Sequence, residues 1–413
     1  MERLIVKNFG PLIDIDIKLS KINLFIGENG SGKSVLAKLI TIILDAIDNA
    51  NSTTEDIFIK FKDYNINFIE ENTSIKYISN DNNIFHLENM KITQELENKI
   101  KKVKKEFNKS KYKLNNLEHS DVLKEIVEKI EKIDFDIDSL KDQRAVENFK
   151  KIKREFTQIK VNIEKLNTSI IPKIENEMSS LTPKYIPAER NLISLFSKSL
   201  STLISESIPL PKFLLKFASE FEKASNSINE LQIMDFKYVN DDSKSRHKVY
   251  YDEENYLELE HSSSGVQSTI PLYLTVKYFS TQARTIIIEE PEQNLFPKLQ
   301  KETIKYIVET INNNLFLMTH SPYVLSTLNI LMMAYKAGNL NTKSKEKVTK
   351  LVNEKQWINP DYFSAYYLEN GIAKNIKGKT GLISDNEIDE INDDIQFEFE
   401  EILSIYREYK HDK

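Results

Sequence analysis

An α/β fold with a buried, parallel-stranded sheet and an inserted helical arm is predicted by three features of the 413-residue sequence. Short apolar runs at Ile22–Ile26, Ile286–Ile288 and Leu315–Met318 have the length and composition of strands covered on both faces. The first run ends on a glycine-rich loop that opens a helix. Between it and the later runs lies a Lys-, Glu-, Ile- and Leu-rich stretch with heptad spacing.

Hydrophobic residues make up 40% of the chain, enough to fill the core of one large domain or two ordinary ones. There is no uninterrupted apolar run of about 18 residues, and Met1–Gly10 lacks the charged and apolar regions of a signal peptide. A cytoplasmic location without membrane contact is therefore expected. Cysteine is absent, which excludes disulfides, zinc–thiolate sites and a cysteine nucleophile, and the six histidines are scattered. Any metal is expected to be a hard ion on oxygen ligands. The net charge of −6 argues against a wholly basic nucleic-acid-binding domain, while a local basic face remains compatible with it.

Leu4–Val6 and Ile13–Ile17 read as two β-segments joined by Lys7–Pro11, followed by the Ile22–Ile26 strand. Gly27, Glu28, Asn29, Gly30, Ser31, Gly32, Lys33 and Ser34 then fit G-x-x-x-x-G-K-[ST], and Val35–Ile40 continues as a helix into Ala46. Glycines let successive main-chain N–H groups turn inward, and the helix N-terminus adds partial positive charge where phosphates sit. Lys33 is expected to bridge the β- and γ-phosphates, with the Ser34 hydroxyl on Mg²⁺. Thr54 to Phe68 reads as a helix, followed by a hairpin turning at Asn80–Asn83.

The heptad stretch contains three seams. Leu96, Ile100, Val103, Phe107, Leu114 and Leu117 form the first; Leu123 to Leu140 the second; Phe149 to Ile170 the third. Glu118–Asp121 is the expected hairpin tip, and a phase slip after Leu140 leaves the last two seams as one helix with a stutter or two helices with a turn. Pro172 closes the arm or kinks its end, and extended chain follows at Tyr185–Pro187. The expected organisation is an N-terminal lobe over 1–90, a coiled-coil insertion over 91–178, a C-terminal lobe over 179–340 and an extension over 341–413.

In the distal half, Ser262, Ser263, Ser264, Gly265, Val266, Gln267 and Ser268 precede a helix expected over Thr269–Tyr278, a second anion-binding N-terminus. A serine-rich cap alone would look the same. Arg284–Glu292 is a β-branched strand ending in paired carboxylates, placed where ligands bind open α/β sheets. Glu289 is expected to hold Mg²⁺ directly or through water, and Glu290 to take a proton from attacking water. The next strand ends at Thr319, His320, Ser321 and Pro322, where His320 can contact the γ-phosphate.

Taken together, the loop at Gly27–Ser34, SSGVQ at Ser263–Gln267, IIIEEPE at Ile286–Glu292 and MTHSP at Met318–Pro322 resemble the motif set of ABC-type ATPases. The likeness is to the branch that includes SMC, RecF and OLD-type proteins, and within it to stand-alone ATPases of bacterial antiphage systems. The resemblance implies a P-loop head carrying a coiled-coil arm, with ATP and Mg²⁺ as cofactors and two heads sandwiching two ATPs. A homodimer or higher homo-oligomer is the implied assembly. Carried over to this sequence, Gly27, Asn29, Gly30, Ser31, Gly32, Lys33, Ser34 and Val35 cradle the nucleotide. Ser264, Gly265 and Gln267 become the signature loop that reaches the facing subunit's ATP, Glu290 the catalytic glutamate and His320 the switch histidine. Gln293–Leu295 corresponds to the loop that crosses the dimer. Pro187–Asn191 falls near the metal-contacting glutamine loop.

The chain departs from the family pattern in places. Glu289 stands where an aspartate is usual, Val266 where a second signature glycine is usual, and no glutamine occupies Pro187–Asn191. The sequence identifies no aromatic for stacking on adenine; Phe9 is one candidate without further support. The C-terminal segment, with a strand pair at Tyr366–Glu369 and Gly371–Lys374 and an acidic helix from Asn386, is too short for a full nuclease domain. Asp389, Glu390, Asp393 and Asp394 read as a solvated face. The expected function is an ATPase controlling a separately encoded effector, a nuclease, in antiphage defence. The alternative is a DNA-repair or chromosome-maintenance ATPase that clamps DNA, for which the lysines of Lys99–Lys113 offer a basic stretch that a solvated helix face explains equally well; a third reading is a scaffold that binds ATP without turning it over.

Overall fold

In a computed structural model of the protein, β1 (Glu2–Phe9) and β2 (Leu12–Leu19) pair antiparallel, with Leu4 opposite Ile17 and Val6 opposite Ile15. Their alternation of apolar and charged residues buries Leu4, Val6, Ile15 and Ile17 and leaves the other face to solvent. The structure describes residues 2–48, 53–79, 82–88, 91–92, 182–196, 210–241, 247–384 and 401–402. They belong to one compact unit. The heptad seams over 96–170, the hairpin tip and the acidic residues 389–394 lie outside the described residues.

β1 also pairs with β4 (Ser74–Ser79), which continues through β5 (Asn82–Glu88) to β6 (Lys91–Ile92). The other half of the sheet is parallel at its centre. β3 (Ile22–Ile26) lies between β14 (Phe363–Glu369) and β13 (Asn314–Thr319), and β12 (Thr285–Glu289) joins β13 to β7 (Lys184–Ile186). β15 (Ile372–Asn375) bridges β14 and β2, so the order is β6-β5-β4-β1-β2-β15-β14-β3-β13-β12-β7. Every residue of β12 is buried, as its continuous apolar run requires. Because β3, β13, β12 and β7 run parallel, Gly27, His320, Glu290 and Pro187 all emerge at one sheet edge.

Helices cover this region. α1 (Lys33–Asp48) packs on β12, β13 and β7 and neighbours α2 (Thr54–Asp63). The expected helix to Phe68 stops at Asp63: Asn65 adopts φ +56°, and the Ile66 N–H donates to Phe61 O at 2.9 Å, a left-handed helix end that asparagine tolerates. The helix expected from Thr269 starts earlier. α4 spans Ser264–Phe279, so Ser264, Gly265 and Gln267 lie inside its first turn rather than ahead of it. It packs against α3 (Lys212–Ser227), α5 (Pro297–Thr310) and the short helix Asn191–Leu195; α5 in turn packs on α6 (Pro322–Gly338), and α6 on α7 (Thr342–Thr349).

Residues 212–258, for which the sequence suggested no elements, hold α3 and a second, antiparallel sheet. Its order is β11 (Tyr256–Glu258), β10 (His247–Tyr250), β9 (Phe236–Asn240) and β8 (Glu230–Ile233). Phe213, Phe217, Phe221 and Ala224 give α3 a buried stripe at helical spacing. No helix among the described residues is long and apolar enough to cross a membrane.

Gly338, the last residue of α6, lies against the ring of Trp357, the chain's single tryptophan; a Cβ there would approach the indole to 2.1 Å. Gly338→Ala is expected to displace the ring, shifting its fluorescence and lowering stability by about 1–3 kcal/mol. Unchanged emission and an unchanged unfolding midpoint would contradict this packing.

Candidate functional site

The loop after β3 takes its shape from glycine. A Cβ on Gly27 would sit 2.3 Å from the main-chain oxygen of Leu368, while Gly30 and Gly32 adopt φ +83° and +96°. Lys33 opens α1, and its Nζ donates to the carbonyls of Gly27 and Glu28, each at 2.7 Å, with Ser31 Oγ at 3.4 Å. Burial pushes the Lys33 ammonium below its usual range, opposed by Glu290, Glu292 and Glu289. Asn29, Gly30 and Ser34 are exposed, and Ser31 and Val35 half-buried, along the same loop and first turn.

The Glu289 carboxylate is buried at the end of β12, where Tyr185 Oη donates to its Oε1 at 2.5 Å and the Ser34 side chain hydrogen-bonds to it. Burial pushes its carboxyl up, against the lowering effect of Ser34 and Tyr185. The two expected metal ligands are thus adjacent. Both offer oxygen, which suits Mg²⁺.

Glu290 has φ +43°, an uncommon value for a residue with a side chain, and its N–H donates to Met318 O at 2.8 Å. Its carboxylate lies 3.6 Å from His320 Nδ1 and is only half-buried. His320 beside it, followed by Arg190 and Lys33, holds the Glu290 carboxyl below the usual range, so it stands ionised at neutral pH. Glu292, not singled out in the sequence, is buried beneath them: its Oε1 accepts from Thr319 Oγ1 at 2.5 Å and from the His320 N–H at 3.1 Å. Its Oε2 has no hydrogen-bond partner among the described residues, and burial pushes this carboxyl up.

Arg190, in a single 3₁₀ turn after β7, is fully buried. Its guanidinium donates to the carbonyls of Pro187, Ser268, Glu289 and Glu290. The sequence placed it only near the glutamine-loop position; an arginine just beyond an apolar strand end was the available sign.

The signature segment meets the loop after β12. A Cβ on Gly265 would lie 2.9 Å from Asn294 O, and Asn294 Nδ2 donates to Ser268 Oγ at 3.0 Å. Ser264 is exposed. Gln267 is buried, donating from Nε2 to Glu260 O at 2.9 Å while its own carbonyl accepts from Ser194 Oγ at 2.7 Å. Its side chain is therefore committed within its own head. The expectation for Phe9 is corrected: it is fully buried, with ring centroids 5.7 Å from Phe61 and 5.8 Å from Phe68, and offers no face to adenine.

Glu290 beside it raises the His320 pKa above its ordinary 6.5. A raised folded-state value means that the pair adds stability in full below the unfolded value and loses it as pH rises through the folded one. His320→Gln is therefore expected to lower the melting midpoint more at about pH 5.5 than at about pH 8.5. An equal or reversed effect would show that the pairing is absent in solution.

Residues 1–325 match the AAA ATPase domain family. No curated protein matches the chain. Among solved structures, the chain is similar to the SMC head domain with an extended coiled coil bound to the C-terminal domain of ScpA, from Pyrococcus furiosus. That similarity is at 14% identity over 96% of this chain and 100% of that chain, with a TM-score of 0.35. An SMC head bound to the C-terminal winged-helix domain of ScpA follows at 11% identity, 91% and 96% coverage and a TM-score of 0.31. The recombination mediator protein RecF of the RecFOR pathway gives 12% identity, 91% and 97% coverage and a TM-score of 0.30. The family match spans well over half of the sequence and contains the loop, both paired carboxylates and His320; the chain belongs to the AAA ATPase domain family.

Proposed function

We propose that the protein binds Mg-ATP at the C-terminal edge of its parallel sheet and hydrolyses it with Glu290 as the general base. The observation that carries this is the convergence of Lys33, Glu289, Glu290 and His320 at the ends of β3, β12 and β13, parallel strands of one sheet. Main-chain N–H groups of Gly27–Ser34 and the Lys33 ammonium hold the phosphates. Ser34 and Glu289, both offering oxygen, would hold Mg²⁺, which when bound would supply positive charge to the phosphates. Glu290, ionised and reachable from solvent, accepts the proton of the attacking water, and His320 fixes its carboxylate and faces the γ-phosphate.

ATP then joins two heads through the exposed Ser264 and the neighbouring Gly265, giving a homodimer or a higher oligomer. ATP-driven association regulates a separate effector. The nature of that effector, a nuclease in antiphage defence, rests on the resemblance of the motif set to the stand-alone ATPases of such systems.

Lys33→Ala is expected to weaken Mg-ATP binding on the order of 100-fold, since it removes the ammonium expected to bridge the β- and γ-phosphates. Equilibrium titration checks it; affinity near the parent's in a folded variant would defeat the site. Ser264→Arg should leave ATP binding to the isolated head intact and prevent ATP-dependent association measured by light scattering. Association that persists in this variant would remove the signature segment from the interface.

A further inference from the structure

Arg190 takes no part in the phosphate chemistry above, yet burying a guanidinium is costly unless its donors are used. Four of its five N–H donors are. Nε donates to Ser268 O at 3.1 Å, Nη1 to Pro187 O at 3.1 Å and Glu289 O at 2.8 Å, and Nη2 to Glu290 O at 2.6 Å. These carbonyls belong to three separate segments: the turn after β7, the first turns of α4 and the end of β12.

The shortest of these bonds goes to Glu290, the residue at φ +43°. A left-handed main chain at a residue with a side chain persists only where its surroundings over-determine it. Here the Glu290 N–H is tied to Met318 O and its carbonyl to Arg190, so both peptide groups flanking its Cα are fixed and the direction of Cβ follows. Ser268 takes part twice, its carbonyl bonded to Arg190 and its hydroxyl to Asn294. The start of α4, the loop after β12 and the turn after β7 are therefore one hydrogen-bonded unit.

We propose that Arg190 is a positioning residue for Glu290: it fixes the main chain that aims the carboxylate and ties that aim to the first turns of α4. The inference rests on the ATPase reading. Lysine cannot substitute, because its single nitrogen cannot span carbonyls that a planar fork reaches in several directions. Displacement of Ser264–Gly265 by a facing head would reach Glu290 through this guanidinium, so hydrolysis responds to association.

The test compares the parent, Arg190→Lys and Arg190→Gln for Mg-ATP affinity and for turnover per bound nucleotide, with circular dichroism confirming the fold. Both variants are expected to bind Mg-ATP within about threefold of the parent while turnover falls on the order of 100-fold, the cost of a misplaced catalytic group. A purely structural role would lower the melting midpoint and the fraction able to bind, leaving turnover per bound nucleotide unchanged. Parental turnover per bound nucleotide in a folded variant overturns the positioning role. So does failure of both variants to fold, which would make Arg190 a core element only. A parent that binds Mg-ATP without turning it over defeats the ATPase reading itself, a result visible before any substitution.

Discussion

Three glutamates in four residues, Glu289, Glu290 and Glu292, stand at the end of a strand buried on both faces, and mutual repulsion and desolvation oppose their all being charged there. The structure separates them by environment. Glu289 and Glu292 are buried, hydrogen-bonded by Tyr185 and by Thr319, and pushed up. Glu290, turned out by its left-handed main chain toward His320, is held down. Chemically similar groups are thus shifted in opposite directions by their surroundings. Glu290 is the half-buried member of the three, the one reachable from solvent and paired with His320.

This separation depends on the sheet. A parallel order with β13 between β3 and β12 places the phosphate loop and the paired carboxylates at one edge with the His320 strand between them. Packing from both sides keeps the strand ends rigid, since β12 is wholly buried. The loop itself has little freedom: Gly27 is pressed against Leu368 O from the neighbouring β14, so the C-terminal strands help to shape the glycine-rich loop.

Much of this was legible in sequence, for identifiable reasons. β3 was read at its observed bounds because a five-residue apolar run before a glycine loop admits few alternatives. β13 lies within a residue of its expected bounds at each end, whereas β12 starts one residue after the expected Arg284 and ends at Glu289, three residues short of Glu292, because the chain turns at the left-handed Glu290 before Pro291. The end of α2 was missed because Ile66 and Phe68 prolong an apolar pattern past the left-handed Asn65. The small antiparallel sheet was missed because β8, β10 and β11 are four, four and three residues long, too short for alternation to stand out. Tyr185, Arg190 and Glu292 act through long-range contacts, from Tyr185 to Glu289 and from Arg190 to Ser268, that no local spacing encodes.

Glu290 is proposed as the base in a site that would hold Mg-ATP. That role is tested most directly by single-turnover hydrolysis of pre-bound Mg-ATP in the parent and in Glu290→Gln. The substitution keeps the size and hydrogen-bonding reach of the side chain and removes its basicity. ATP binding is expected to stay nearly unchanged while the rate constant for cleavage falls by about 100-fold or more. A cleavage rate equal to the parent's, in a variant that binds ATP, would contradict that role.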